Sequence, residues 1–192
     1  LLSNPLLLRE WPLPVRHLSL SLRWFDPLPS SKELVSPKDA WGDTVAALVT
    51  LHTFHFPLVD NERMIQVACR SLPSLHTLAI AHPRAEGSWA ELAAAPSLTS
   101  LSLSNDHGAK LGSILPLPRL RELKLNHFTL ANAVKAIGKI QASELRKLTL
   151  SEVTLKGIPD KLAERISSVE VFRLARVTDL NRLLTALAEE AS

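Results

Sequence analysis

The chain has no tyrosine, one cysteine, one methionine and six glycines in 192 residues, and aromatics make up 5% of it. Each scarcity excludes something. A lone Cys69 cannot close an internal disulfide, so this is not a disulfide-stapled scaffold, and a reducing compartment suits it. Six glycines without a period exclude a collagen-like chain. Long hydrophobic runs are missing too: no window approaches the roughly 18 apolar residues, free of charge and proline, that a transmembrane helix needs. The apolar opening Leu1 to Arg9 lacks a basic leader and is broken by Pro5, so it does not read as a signal peptide. Residues 1–14 are expected to form the N-terminal edge of the fold or the remnant of an upstream region, because the chain opens on Leu1 rather than methionine.

What is present is apolar and periodic. Hydrophobic residues are 46% of the chain against 21% charged, enough to bury a core and too many for a disordered segment. Net charge is +3, and it is uneven: residues 1–96 hold 8 Lys/Arg against 9 Asp/Glu, residues 97–192 hold 14 against 10. That C-terminal excess is far short of the basic patches of a dedicated nucleic-acid binder.

Leucine, the commonest residue, comes in spaced groups. The pattern apolar-x-x-apolar-x-apolar recurs as Val15-Leu18-Leu20, Leu51-Phe54-Phe56, Leu75-Leu78-Ile80, Leu98-Leu101-Leu103, Leu120-Leu123-Leu125, Leu145-Leu148-Leu150 and Val169-Phe172-Leu174. Successive starts lie 36, 24, 23, 22, 25 and 24 residues apart. Apolar residues at the fourth and sixth positions alternate with polar ones and so share one face of a short strand, while the first turns the chain into it. The room left in each unit suits a return segment. Asp60 to Leu72, Trp89 to Ala95, Ala131 to Ile140 and Asp160 to Ile166 read as helical, with prolines at 73, 96, 116, 118 and 159 near their ends.

A strand followed by a return segment in every unit resembles the leucine-rich repeat family, over roughly residues 13–190. The stretches Leu98 to Asn105, Leu120 to Asn126 and Leu145 to Leu150 carry the likeness best. The resemblance implies an α/β solenoid of about seven repeats, with a curved parallel sheet on the concave side and helices or irregular segments on the convex side. The family usually has Asn or Cys at the ninth position, tying neighbouring turns together. Here that position holds Arg23, Val59, Pro83, Asp106, Phe128, Val153 and Val177, so apolar packing and backbone pairing must replace the ladder. Irregular units of 22 to 25 residues without it are similar to the intracellular repeats of F-box and ribonuclease-inhibitor-like proteins. Repeats are expected over 15–178, with a longer insertion at 23–47 that reads as a degenerate repeat or cover for the first strand. A capping helix is expected over 179–192, opened by Asp179 and bearing Leu180, Leu183, Leu184 and Leu187 on one side.

Catalysis has little to stand on. No Gly-rich phosphate loop, Gly-x-Ser-x-Gly elbow or His-Glu-x-x-His helix occurs. Cys69 sits at a helical position suited to burial. His52, His55 and His76 come closest to a metal set, yet nothing obviously completes the three or four converging ligands that zinc needs. No cofactor and no metal are expected. The inner sheet face is the better candidate, because positions four and six are consumed by the core. Its candidate residues are Arg16, His52, His55, His76, Arg121, Glu122, Lys124, Arg146, Lys147 and Arg173, on a face that is small and hydroxylated in the middle and basic toward the C-terminal end. The expected function is a non-catalytic module that binds a protein partner with an acidic or phosphorylated segment, the resemblance pointing to the substrate-recognition region of an F-box-type ubiquitin ligase receptor. A structural subunit of a larger assembly, such as an organellar complex, is the first alternative. Phosphate or RNA binding ranks third, since the inner face offers no stacking aromatics. An intracellular location, cytoplasm or nucleus, and no membrane contact go with that reading.

Overall fold

The computed structural model describes residues 14–19, 45–56, 62–81, 88–104, 116–154, 166–167, 169–177 and 180–190. Seven strands form one open, all-parallel sheet in chain order: β1 (His17–Ser19), β2 (Thr53–Phe56), β3 (Thr77–Ala81), β4 (Ser100–Ser104), β5 (Glu122–Asn126), β6 (Lys147–Ser151) and β7 (Val171–Ala175). The register follows the sequence pattern without a slip. Leu18, Phe54, Leu78, Leu101, Leu123, Leu148 and Phe172 pair laterally as one column. A one-residue slip would turn a whole buried column to solvent, which is why the alternation specifies the pairing.

The fourth- and sixth-position columns form the core together with the first-position residues Leu51, Leu75, Leu98, Leu120 and Leu145, all of them buried. Each such leucine contributes on the order of 2 kcal/mol by leaving water. Packing thins at the last strand. Phe172 and Leu174 are only partly buried and Val171 is 41% exposed, because β7 has no strand beyond it.

Return segments cover the apolar side. Helix α1 (Glu62–Ser71) puts Ile65, Ala68 and Cys69 into the core at helical spacing, with Leu72 just beyond its end. Helix α2 (Leu130–Ile140) starts where the Thr129 hydroxyl accepts the Asn132 N–H at 3.3 Å, and buries Leu130, Ala133, Val134, Ala136, Ile137 and Ile140. It stops at Gln141, whose left-handed φ of 46° lets its N–H donate back to the Ile137 carbonyl at 3.3 Å. Between β3 and β4 the expected α-helix is a 3-10 helix, Ser88–Ala94. The segment ahead of Pro96 is too short to repay nucleation of an α-helix, and Leu92 is still buried by the tighter winding. Helix α3 (Leu180–Glu190) lies within the expected cap, where Leu183 is buried but Leu184, expected on the same side, is 49% exposed. The expected helix at Asp160 to Ile166, the 23–47 insertion and the N-terminal edge fall almost entirely outside the described residues.

Entry into the strands follows a common rule. Just before a strand, the first-position N–H donates to the carbonyl three residues back: Leu75 to Leu72, Leu98 to Ala95, Leu120 to Leu117, Leu145 to Ala142. Pro73, Pro96 and Pro118 occupy the second place of these turns, where a fixed φ is favourable and an N–H is not needed. The proline carbonyls are then used by the following turn: Ser97 Oγ donates to Pro73 at 2.7 Å, the Arg119 guanidinium to Pro96 at 3.0 Å, and Ser143 Oγ to Pro118 at 3.3 Å. This side-chain ladder ties turn to turn.

A second tie lies at the eighth position. His127, Glu152 and Arg176 all adopt positive φ, 56°, 53° and 53°. The kink turns the next residue inward, burying Phe128 and Val153, after which Thr129 and Thr154 make one further parallel bridge. Glu152 is flanked by His127 Nδ1 at 3.1 Å and by the Arg176 guanidinium at 2.9 Å. The expectation of apolar packing plus backbone pairing thus describes only part of what joins these units.

Candidate protein interaction surface

Residues at positions three, five and seven alternate with the buried columns and occupy the other face of the sheet. In β4 these are Ser100, Ser102 and Ser104, each partly exposed, and in β3 Thr77 and Ala79. The center of the face is therefore low and hydroxylated, and longer side chains rise on either side of it.

On the N-terminal side, His52 and His76 stack with ring centroids 5.5 Å apart and planes within 10° of parallel. Their Nδ1 atoms sit 2.8 Å from the Thr50 carbonyl and 2.5 Å from the Ser74 carbonyl. A carbonyl only accepts, so Nδ1 carries the proton in both rings and Nε2 is left as the acceptor. Each imidazole lone pair lies in its own ring plane, so parallel planes at this spacing cannot converge on one ion. Among the described residues, no three His, Cys, Asp or Glu side chains are placed to hold a metal. Arg16 and His55 are exposed, Arg16 just before β1 and His55 within β2.

The C-terminal side holds the five predicted cations, and the structure divides them. Arg121 Nε meets Glu144 at 3.0 Å, Arg146 meets Glu170 at 2.9 Å, and Lys147 Nζ meets Glu122. Glu122 is additionally approached by Ser100 Oγ at 3.5 Å. Pairs this exposed contribute about 0–1 kcal/mol of stability. Their larger effect is to decide where uncompensated charge remains. Lys124 and Arg173 are both exposed, and among the described residues neither has a carboxylate partner. They occupy the same fifth-position row, Lys124 beside Thr149 and Thr149 beside Arg173. Sequence reasoning treated all five cations as one basic patch. The columns already set Arg146 beside Glu170 and Glu122 beside Lys147, a signal that was legible in the repeat alignment; the Arg121–Glu144 pair crosses positions and was not.

Cys69 is buried, and burial, reinforced by the charge of Glu91 and opposed by Arg70, pushes its thiol from 9.0 up to about 12. A thiol so held is not a nucleophile near neutral pH. A half-open cavity of about 240 Å³ at the C-terminal end of α2 is lined by Leu123, Ile137, Ile140 and Leu145 with Gln141 and Ser143, and offers no acid or base. No helix among the described residues is long and apolar enough to cross a membrane. Compared with protein-family models, curated proteins and solved structures, the chain finds no match in any of the three.

Proposed function

We propose that this chain is a leucine-rich-repeat-type solenoid acting as a non-catalytic protein interaction module, with the polar face of its parallel sheet as the contact surface. The observation that carries the reading is the in-register sheet, which commits one side to buried columns and leaves the other a continuous, mostly polar face. Seven strands about 4.8 Å apart span on the order of 30 Å, enough for a standard protein contact. Each strand pairs with its neighbours in chain order over one continuous apolar layer, which extends the polar face along the sheet. Within this reading, the likeness to F-box-type repeats makes a substrate-recognition surface of a ubiquitin ligase receptor the narrower hypothesis. Co-purification of ubiquitin ligase subunits with the full-length protein tests it, and their consistent absence would remove it.

The broader reading is tested by planting bulk on the face. Ser102→Trp and Thr149→Trp, compared with Lys135→Trp on the exposed side of α2, should retain the wild-type circular dichroism spectrum and melting temperature. The two sheet variants should lose the partners captured by affinity purification, and the helix variant should keep them. Capture lost only with Lys135→Trp would place the contact on the other side and overturn the proposal.

A further inference from the structure

Resting on the reading just given, we infer that Lys124 and Arg173 form a two-pronged site on the sheet face for a partner segment bearing two acidic side chains. Five cations lie at this end of the sheet, and three of them, Arg121, Arg146 and Lys147, spend their charge on Glu144, Glu170 and Glu122. Among the described residues at this end of the face, Lys124 and Arg173 are the two cations without a carboxylate partner. Both are exposed and lie in one row, with Thr149 between them. Two strand spacings separate their backbones, about 10 Å. One three-residue turn of a polyproline II chain rises about 9 Å, so carboxylates three residues apart on such a segment match the two prongs.

The low floor next to the row favours a peptide as the occupant. Ser102 lies beside Lys124 in the same row, and Ser100 beside Glu122 in the row adjacent. Small side chains let a main chain approach the sheet, and their hydroxyls can both donate and accept hydrogen bonds. A nucleic acid would need several phosphate contacts and stacking surfaces, whereas among the described residues the C-terminal end of this face has two cations without a carboxylate partner and no Phe or Trp ring.

The test uses the intact protein and a fluorescein-labelled nine-residue proline-rich peptide carrying two glutamates three residues apart, followed by anisotropy at low salt. Two double variants remove the same charge: Lys124→Gln with Arg173→Gln, and Arg121→Gln with Arg146→Gln. Loss of the first pair should weaken binding about tenfold, the scale of two exposed charge contacts, and loss of the second less than about threefold. Equal weakening by the two would show that net charge rather than this row is read, and would overturn the site. Single-stranded polyuridine binding tighter than the peptide at the same salt would overturn the partner class. If Ser102→Trp and Thr149→Trp leave peptide binding untouched as well, the sheet face itself is not the contact surface. Weakening by these tryptophans without selectivity between the double variants rejects only the two-pronged site. Melting temperatures within about 2 °C of wild type for all variants establish that folding is not what is measured.

Discussion

Replacing Gln141 by glycine should stabilise the protein, although it removes a side chain and adds none. Gln141 ends α2 at φ 46° and ψ 43°, where a Cβ is crowded by the backbone. For an L-residue that conformation costs about 1–2 kcal/mol, and glycine escapes it. Glycine also enlarges the unfolded ensemble, which takes back about 0.4–1 kcal/mol. The net is about 0.5–1 kcal/mol in favour of Gln141→Gly. For a chain of this size that corresponds to an increase in melting temperature of about 1–4 °C. The side chain of Gln141 is exposed, so little packing is lost in exchange. Thermal melts followed by circular dichroism and urea titrations of wild type, Gln141→Gly, Gln141→Ala and Gln141→Val separate the contributions. Alanine keeps the Cβ and should sit near wild type, and the β-branched valine should fall below it by more than about 1 kcal/mol. If glycine and alanine melt together, α2 does not end in a left-handed residue and the reasoning is wrong.

Glu152 has the same backbone geometry but two charged partners, so Glu152→Ala should cost up to about 1 kcal/mol for each exposed pair, whereas Glu152→Gly should recover most of that loss; equal destabilisation in urea melts would deny the left-handed column. Cys69 predicts an alkaline limit. Its folded thiol is raised to about 12 against 9.0 unfolded, so its contribution is intact below about pH 9 and is lost as pH climbs toward 12, at up to about 1.4 kcal/mol per pH unit; Cys69→Ala should flatten that part of the stability profile, and an unchanged slope would remove the thiol as its cause. Leu123→Ala empties a buried place at the middle of the fourth-position column and should cost about 3–5 kcal/mol, against a smaller loss for Phe172→Ala at the edge strand, as read from urea midpoints. Reversal of that order would mean that the sheet is not stacked as described.

Much of the backbone arrangement was readable before any coordinates. Leu18, Phe54, Leu78, Leu101, Leu123, Leu148 and Phe172 stand in phase in the chain, and the same seven stand in register across the sheet. A period-two alternation is local information, and solvent exclusion acts on it directly, since the wrong register would expose an entire apolar column. The Pro-Ser-Leu groups at 73–75 and 96–98 also announce their turns, because proline presets φ at the second turn position whatever lies around it.

The candidate surface needed the third dimension. Arg121 and Glu144 are 23 residues apart and belong to different repeat positions, so their pairing depends on how one unit's turn overlaps the next unit's strand. The positive φ at His127, Glu152 and Arg176 was equally hidden: residues that ordinarily avoid that region are held there because the kink buries Phe128 and Val153 and adds a bridge between Thr129 and Thr154. By itself the sequence determined which strand residues face the core and which strands adjoin, because apolar burial is additive along the chain and repeats with it. Only the tertiary structure decided which charges are spent and which are left over. An ion pair is settled by a few ångströms between side chains of different units, and that distance has no counterpart in sequence spacing.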